Sequence, residues 1–487
     1  MTARPEALPF DPDQAGRVLD RVGRQWDDEI VPQLIEYVRL PAKSPAFEPE
    51  WARAGHIERA IELARRFVAA QPVRGMTLEV IRLEGRTPVL FFDIPATGGK
   101  VGGRSVVLYG HLDKQPEMTG WREDGGPWQP VLENGRLYGR GSADDGYAVF
   151  ATLAAVLALD REGVARPRVV GLIETCEESG SYDLPAYLDL LAPRMGDVAL
   201  VVALDSGAGN YQQLWVTTSL RGLVNGTMTV RMLTEGVHSG DAGGVVPSTF
   251  RIARQLLDRI DDSMTGMTRS PVFAAEIPEE RLAQARQAAD ILGEGIWQRF
   301  PWQSCGGAHE FALPTSKDPV ELILNRTWRA SLAVIGADGL PPTHAAGNVL
   351  RPYTALKLSL RIPPTVDGTV AAAEVKRLVC ENTPYQAHVT FDADNASTGW
   401  NAPTFAPWLT VALDAASMHY FGRPAAYMGE GGTIPFMGML GAKFPSAQML
   451  VTGVLGPKSN AHGPNEFLHI DYAKKVTAAT AMVMAAA

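Results

Sequence analysis

Three short runs of apolar residues, each followed closely by acidic or imidazole side chains, constrain the fold of this chain most. The runs and the side chains that follow them are residues 106–109 with His111 and Asp113, residues 169–175 with Glu177 and Glu178, and residues 199–204 with Asp205. Continuous apolar runs of this length are typical of strands buried on both faces of a parallel sheet. Open α/β sheets carry their functional groups at the carboxyl ends of the strands. The runs therefore predict an α/β domain with a mainly parallel sheet and helices on its faces.

The first of these strands ends in a pair of residues that can build a metal site. His111 and Asp113 are two positions apart, so in an extended segment their side chains point to the same side. A neutral imidazole is a common metal ligand, and a nearby carboxylate can fix its tautomer and orientation. The alternative is a solvated strand end, because a His-x-Asp pair also arises by chance in a chain of 487 residues.

Two acidic pairs allow either a structural or a functional interpretation. Asp144 and Asp145 precede an alanine-rich segment, residues 147–160, that is predicted to be helical. They can cap that helix, or they can point a carboxylate at cations from a glycine-rich turn. Glu177 and Glu178 follow the second strand and can form an exposed loop. In the functional interpretation one of them binds metal and the other acts as a general base.

Length, charge and cysteine content narrow the class of protein. A chain of 487 residues is too long for one core, so two or three domains are expected. A net charge of −9 and a pI near 5.6 argue against a nucleic-acid partner. No segment has the length and apolarity of a signal peptide or a membrane span, which favours a cytoplasmic protein without a membrane partner. The cysteines form no disulfide framework, and the first of them is expected to be a packed small residue: Cys176, Cys305 and Cys380.

A change of hydrophobic period indicates a second domain. Apolar and polar residues alternate at 226–232 and 356–362, which is typical of a half-buried antiparallel sheet. We therefore predict an inserted α+β domain at residues 219–397 between two parts of a catalytic domain, residues 1–218 and 398–487. Helical periodicity predicts helices at residues 14–39, 55–70, 147–160, 246–260 and 371–380, and from residue 471 onward.

Six motifs occur in an order that resembles a known family. They are Gly110-His111-Leu112-Asp113, Gly139-Arg140-Gly141-Ser142-Ala143-Asp144-Asp145, Glu177-Glu178-Ser179-Gly180-Ser181, Asp205, Val237-His238-Ser239-Gly240 and Ala461-His462-Gly463-Pro464-Asn465-Glu466. The ordered set is similar to the co-catalytic zinc aminoacylase/carboxypeptidase metallopeptidases, and within them to the carnosinase-like cytosolic non-specific dipeptidases. The resemblance runs from about residue 20 to the end. One departure is Gly146-Tyr147, where the family usually has Lys-Gly, so the adjoining loop and pocket are expected to differ.

The resemblance implies a two-metal centre. His111 and Asp205 would hold one ion, Glu178 and His462 the other, and Asp144 would bridge both. Asp113 would orient His111, and Glu177 would be the general base. The family also implies a cis peptide bond between Asp144 and Asp145. The ions are expected to be zinc, with manganese or cobalt as alternatives, because the ligands are imidazoles and carboxylates without thiolate.

The resemblance also implies roles for residues outside the metal ligands. His238 would reach from the inserted domain into the partner subunit's active site and stabilise the oxyanion, so a homodimer formed through this domain is expected. Arg361 would bind the terminal carboxylate of the substrate, and Glu430 and Thr433 would line the substrate pocket.

Three functions remain open on the sequence alone. The first is a zinc-dependent hydrolase that cleaves the amide bond of dipeptides or related small peptides. The second is an amidohydrolase of the same family that acts on N-acyl amino acids or other small amides. The third is a non-catalytic metal-binding homologue. Such a homologue is expected to lack the base or a ligand, and neither is missing from this sequence.

Overall fold

The chain divides into two units, each built from separate parts of the sequence. A computed structural model describes residues 10–304 and 311–487. Cys305, one of the three cysteines for which no disulfide was expected, lies outside the described residues. The first unit runs to Thr217 and includes Ala402–Tyr427 and Met439–Ala487, whereas the second comprises Thr218–Asn401 and Met428–Gly438. The sequence analysis assigned residues 428–438 to the catalytic domain, whereas the structure places them in the second unit.

A six-stranded sheet forms the centre of the first unit. Its strands, in spatial order, are Thr77–Ile81, Val89–Ile94, Arg168–Glu174, Ser105–His111, Val198–Ala203 and Gln448–Val451. The last four pair in parallel and the first two are antiparallel, which confirms the predicted mainly parallel sheet. His111 pairs with Glu174 and Tyr109 with Ala203, so the three apolar strands end at one edge.

Helices surround this sheet, and the most buried of them is rich in alanine. Small side chains let helix Ala148–Arg161 pack closely, and all its residues from Ala148 to Leu159 are buried. The helices of this unit are Pro12–Gln25, Val31–Val38, Trp51–Ala54, His56–Ala70, Ala148–Arg161, Leu184–Met195, Pro407–Phe421 and Ile470–Ala486. Helix Pro435–Lys443 runs from the second unit into the first.

The helix predicted at residues 14–39 is interrupted. It begins at Pro12 with a capping box between Asp11 and Gln14, but a π-helical turn, Trp26–Ile30, separates it from helix Val31–Val38. Pro32 has no N–H and therefore cannot donate the i→i−4 hydrogen bond of a continuous α-helix. The N–H of Val31 bonds instead to the carbonyl of Trp26, which closes the wider turn.

An antiparallel sheet forms the centre of the second unit. Its strands, in spatial order, are Ser331–Asp338, Tyr353–Ile362, Gly222–Arg231 and His388–Ser397. Burial alternates along Gly222–Arg231, which confirms the predicted half-buried sheet. Its buried face packs on helices Thr249–Leu257 and Gly368–Cys380 in one apolar core. The other helices that lie wholly in this unit are Ser239–Ala242, Glu279–Leu292, Gly295–Gln298 and Pro319–Thr327.

Short strands complete the architecture. Three small sheets contain Val131–Glu133 with Arg136–Tyr138 and Phe467–His469, Val237–His238 with Val349–Leu350, and Trp215–Leu220 with Trp400–Asn401 and Ala426–Glu430. In the part of the chain that the structure describes, no helix has both the length and the apolar character needed to cross a bilayer.

Candidate metal centre

His111 meets two carboxylates at the edge where the buried strands end. Its Nε2 atom lies 3.4 Å from Asp144 Oδ1 and 3.8 Å from Asp205 Oδ2. His111 ends its own strand, Asp205 follows strand Val198–Ala203, and Asp144 comes from the turn before the alanine-rich helix. The three side chains are buried and can offer one ligand atom each to a single ion.

Asp144 also belongs to a second group of possible ligands. His462 Nε2 lies 2.9 Å from Asp144 Oδ2 and 3.3 Å from Glu178 Oε2. One oxygen of Asp144 therefore faces His111 and the other faces His462. The peptide bond between Asp144 and Asp145 is cis, which confirms that prediction. Two groups of ligands that share one carboxylate have the arrangement of a two-metal site.

The residues present fit two divalent cations. Within each group the ligand atoms lie within 4.8 Å of one another. His111 Nε2 is buried and makes no hydrogen bond to any described residue, so it is available as a ligand. Imidazole and carboxylate ligands without thiolate suit zinc, manganese or cobalt.

The electrostatics of the cluster point to the same occupants. Burial, and then the charge of Asp144, raises the pKa of Glu178 to about 7. Burial also raises the pKa of Glu177 well above its usual range, and the charge of Glu178 adds to this effect. Carboxylates held together in this way stay ionised at neutral pH only if positive charge compensates them, and bound cations supply it.

Asp113 holds two parts of the site in place. Its carboxylate accepts hydrogen bonds from the backbone N–H groups of Glu177, at 3.1 Å, and Glu178, at 3.0 Å. Its backbone oxygen lies 3.2 Å from His111 Nδ1, and its carboxylate lies 3.5 Å from the same nitrogen. The sequence predicted the contact with His111 but not the second contact, which orients the turn carrying both glutamates.

Glu177 and Glu178 have different surroundings despite being adjacent. Glu178 Oε2 accepts a 2.5 Å hydrogen bond from Gln115 Nε2 and faces His462. The side chain of Glu177 is in neither ligand group, although the residue is only 9% exposed. Cys176, which precedes the pair, is buried, and burial raises the pKa of its thiol. It is a packed small residue, as predicted.

A buried ion pair that was not expected from the sequence joins two ligand-bearing segments. Arg140 Nη1 donates to Glu466 Oε2 at 2.7 Å, and both side chains are almost fully buried. Arg140 Nη2 also donates to the carbonyls of His462, at 2.9 Å, and Gly463, at 3.0 Å. Glu466 Oε1 accepts from the N–H of Ala143, beside Asp144. In the sequence, the one indication of this ion pair is that Arg140 and Glu466 both lie within motifs shared with the family.

The departure at Gly146-Tyr147 has a packing reason. A Cβ atom on Gly146 would lie 2.0 Å from Cε1 of Tyr37, so this position has no room for a side chain. The Nζ atom of Lys114 lies 3.9 Å from the centre of the same ring. Tyr147 is buried and donates a 2.6 Å hydrogen bond to the carbonyl of Leu204, next to Asp205.

The remaining predicted site residues lie in the second unit. His238 is exposed, and its Nδ1 accepts a 3.1 Å hydrogen bond from the N–H of Gly240. Arg361 Nη1 donates to Thr433 Oγ1 at 3.1 Å. Glu430 Oε2 lies 3.4 Å from Arg326 Nη2. The structure therefore places Arg361 beside Thr433, and Glu430 beside an arginine that was not among the predicted site residues.

Comparison with known proteins finds a family whose sequence pattern this chain matches, and solved structures whose fold it shares. The pattern of Peptidase family M20/M25/M40 matches residues 107–486. The chain is 25% identical over 374 residues to the cysteinylglycine-S-conjugate dipeptidase of Corynebacterium striatum, covering 74% of this chain and 76% of that relative. It is 24% identical over 361 residues to the Beta-Ala-His dipeptidase of Homo sapiens, covering 72% and 68% respectively.

The solved structures add agreement in fold. The dipeptidase Dug1p from Saccharomyces cerevisiae superposes with a TM-score of 0.73 over 97% of this chain and 98% of that chain, at 20% identity. At that identity the likeness shows a common fold. The family match covers most of the chain and includes both groups of ligands. The protein therefore belongs to Peptidase family M20/M25/M40 and is a metal-dependent peptidase.

Proposed function

We propose that this chain is a di-metal hydrolase that cleaves the amide bond of dipeptides or related small peptides. The observation that carries the proposal is the position of Asp144, which turns one oxygen to each group of ligands. The names of the relatives from Corynebacterium striatum and Homo sapiens describe dipeptide cleavage, which supports dipeptides as the substrate class.

Five side chains are proposed to hold the ions. His111 and Asp205 would hold one, Glu178 and His462 would hold the other, and Asp144 would contribute an oxygen to each group. Two divalent cations held by these residues would polarise the scissile carbonyl and make a water molecule easier to deprotonate. Zinc is the proposed metal, with manganese and cobalt as alternatives that the same ligands accept.

Glu177 is proposed to act as the general base. Its side chain lies outside both ligand groups, so its carboxylate is available to take a proton from the attacking water and to pass it to the leaving amine. The hydrogen bonds from the Glu177 and Glu178 N–H groups to Asp113 fix the turn that carries it. Asp113 thus acts as a positioning residue for Glu177 and for His111.

Residues of the second unit are proposed to bind substrate. Arg361 and Thr433 are hydrogen-bonded to each other and can receive the terminal carboxylate, with Glu430 lining the pocket. His238 is proposed to stabilise the oxyanion in the active site of a partner subunit, so that the working unit is a homodimer. Its exposed position leaves the ring accessible to such a partner. The cytoplasm is the proposed location, because the cysteines are few.

Metal removal and a substrate panel test the proposal. Dialysis against a chelator should abolish hydrolysis of dipeptides, and two equivalents of zinc or manganese per chain should restore it. Full activity in metal-free protein would contradict the two-metal centre.

N-acyl amino acids in the same panel test the second candidate function. Faster cleavage of these amides than of any dipeptide would favour an amidohydrolase. Binding of two ions without cleavage of either class would indicate a non-catalytic homologue.

A further inference from the structure

A buried carboxyl group that has no part in the proposed mechanism lies three residues before Glu177. Glu174 ends strand Arg168–Glu174 and is 1% exposed. In the register of the sheet it pairs with His111, so it lies at the edge where the proposed ligands converge. Glu174 falls within the apolar run 169–175 and was not among the site residues predicted from the sequence.

Two side chains donate hydrogen bonds to the same oxygen of Glu174. Its Oε1 atom accepts from the hydroxyl of Tyr109, at 2.5 Å, and from that of Ser181, at 2.9 Å. Both donors are fully buried. Glu174 Oε2 is also buried, and it has no hydrogen-bond partner within residues 10–304 and 311–487. A buried oxygen without a partner lowers stability, so the contribution of this carboxyl group lies in the bonds that Oε1 accepts.

The hydrogen bond from Ser181 reaches the turn that carries both glutamates. The segment Glu177–Ser179 is a single 3₁₀ turn, and Gly180 and Ser181 follow it with φ angles of 91° and 52°. A positive φ is uncommon for serine and persists where neighbouring groups hold the backbone. The N–H of Ser181 donates to the carbonyl of Cys176 at 2.9 Å, and its hydroxyl donates to Glu174. These two hydrogen bonds fix the end of the turn.

Two other contacts hold the rest of the turn. The carboxylate of Asp113 accepts from its first two N–H groups. The hydroxyl of Ser179 lies 2.5 Å from that of Ser44 and accepts from the N–H of Ala46 at 2.9 Å. The hydrogen bonds to the side chain of Glu174 come from no proposed metal ligand. Glu174 can therefore be changed while the ligands keep the contacts of their own side chains.

We propose that Glu174 is a positioning residue for the general base Glu177, and that it acts through Ser181 as a hydrogen-bond acceptor. The inference rests on the proposed function, in which Glu177 takes a proton from water. A general base must come within about 2.6–3.2 Å of the group that it deprotonates, and a displacement of about 1 Å can cost about 100-fold in rate. By fixing the end of the turn, Glu174 also fixes the direction of the Glu177 side chain.

Replacing Glu174 with an acceptor and with a non-acceptor tests this role. Glu174→Gln keeps a carbonyl oxygen that can accept both hydrogen bonds, so kcat should stay within about threefold of that of the unchanged protein. Glu174→Leu removes the acceptor, so kcat should fall about 10- to 100-fold while KM stays within about twofold. Both variants should keep the metal content of the unchanged protein. Equal kcat values in the two variants, or loss of metal from Glu174→Leu, would overturn the proposal.

Changing the donor tests the same contact from its other side. Ser181→Ala should lower kcat by a factor similar to that of Glu174→Leu. The control is Ser105→Ala, at the opposite end of strand Ser105–His111 from the metal centre, where a buried hydroxyl donates to the carbonyl of Met195 at 2.7 Å. Both serine changes should lower the midpoint of urea unfolding, whereas kcat should fall only in Ser181→Ala.

The control variant also has an outcome against the proposal. A fall in kcat of the same size in Ser105→Ala would show that lost stability, rather than the position of the turn, explains the effect. If Glu174→Leu fails to fold, as judged by circular dichroism, the comparison of Ser181→Ala with Ser105→Ala provides the test.

Hydrogen exchange separates this inference from the proposed function, because it does not depend on activity. Mass spectrometry of the metal-loaded full chain follows the amides of residues 177–181, which should exchange faster in Glu174→Leu and Ser181→Ala than in Glu174→Gln and Ser105→Ala. If exchange changes in this way but the unchanged protein cleaves no dipeptide, the proposed function fails and the contact that holds the turn stands. If dipeptides are cleaved and both exchange and kcat are unaltered in Glu174→Leu and Ser181→Ala, the function stands and this inference fails.

Discussion

Adjacent glutamates with different surroundings allow the roles of base and ligand to be tested one residue at a time. Glu177→Gln keeps the size of the side chain and removes the carboxylate that would accept the proton. Because Glu177 lies outside both ligand groups, we expect unchanged metal content and a fall in kcat of about 100- to 10,000-fold. Mass spectrometry of the dialysed protein gives the metal content, and dipeptide hydrolysis gives kcat.

The matched variant is Glu178→Gln. Glu178 Oε2 faces His462 Nε2 at 3.3 Å, so this change should remove one ion per chain. If Glu177→Gln loses the ion and Glu178→Gln keeps it, the two roles are exchanged.

Gly146 gives a prediction about stability. In Gly146→Ala the new methyl group would meet the ring of Tyr37 at 2.0 Å, and overpacking of this kind costs about 1–3 kcal/mol of unfolding free energy. The midpoint of urea unfolding should therefore fall. The control is Gly16→Ala, within helix Pro12–Gln25, where a Cβ meets nothing within 4 Å. That change should leave the midpoint unchanged or raise it, because alanine favours the helix. A larger fall for Gly16→Ala would contradict the packing argument.

At the scale of the secondary-structure element, a strand could be predicted where the hydrophobic pattern of its own residues determines which of its side chains are buried. Strand Ser105–His111 contains the predicted run 106–109, because its side chains pack in the interior of one sheet. The alternation along Gly222–Arg231 also identified a sheet with one buried face. The histidine and carboxylates that follow the parallel strands were therefore expected to converge.

Features that depend on distant parts of the chain were not predictable in the same way. The ion pair between Arg140 and Glu466 joins residues that are 326 positions apart. The contact between Arg326 and Glu430 also forms only after folding, and no periodic pattern in the sequence marks it. The transfer of Met428–Gly438 to the second unit likewise follows from tertiary contacts rather than from local composition.

The Arg140–Glu466 pair should control how firmly His462 is held. Arg140→Met leaves a buried carboxylate without its cation, which costs about 3–5 kcal/mol. It also removes the hydrogen bonds to the carbonyls of His462 and Gly463. We expect a lower unfolding temperature and a metal affinity about 10- to 100-fold weaker, measured by competition with a chelator.

The control for this pair is Arg122→Met. Arg122 pairs with Asp124 and Glu133, whose side chains are 64% and 49% exposed, and such surface pairs contribute about 0–1 kcal/mol. Equal effects of Arg140→Met and Arg122→Met on metal affinity would show that the buried pair does not hold the ligand segment.

At the scale of the whole molecule, the proposed homodimer predicts rescue between two inactive variants. Chains carrying Glu177→Gln and chains carrying His238→Ala are mixed and allowed to exchange subunits. Each mixed dimer would then have one site with its base from the His238→Ala chain and its imidazole from the other chain. Activity should recover well above that of either variant, since losing one oxyanion donor typically costs about 100- to 1,000-fold.

The control is each variant mixed with itself under the same conditions. Mixed dimers that form, as shown by native mass spectrometry, yet remain as inactive as both parents would contradict a role for His238 across the interface.

The spacing of the ligands along the chain sets an order of events during translation. The first group is complete once Asp205 has been synthesised, whereas the second waits for His462. Strand Gln448–Val451, which pairs with strand Val198–Ala203, belongs to the same late stretch. A growing chain thus carries acidic side chains without their full set of ligand partners throughout the synthesis of residues 206–461. A second ion held by the proposed ligands could therefore find their complete set only after His462 has left the ribosome.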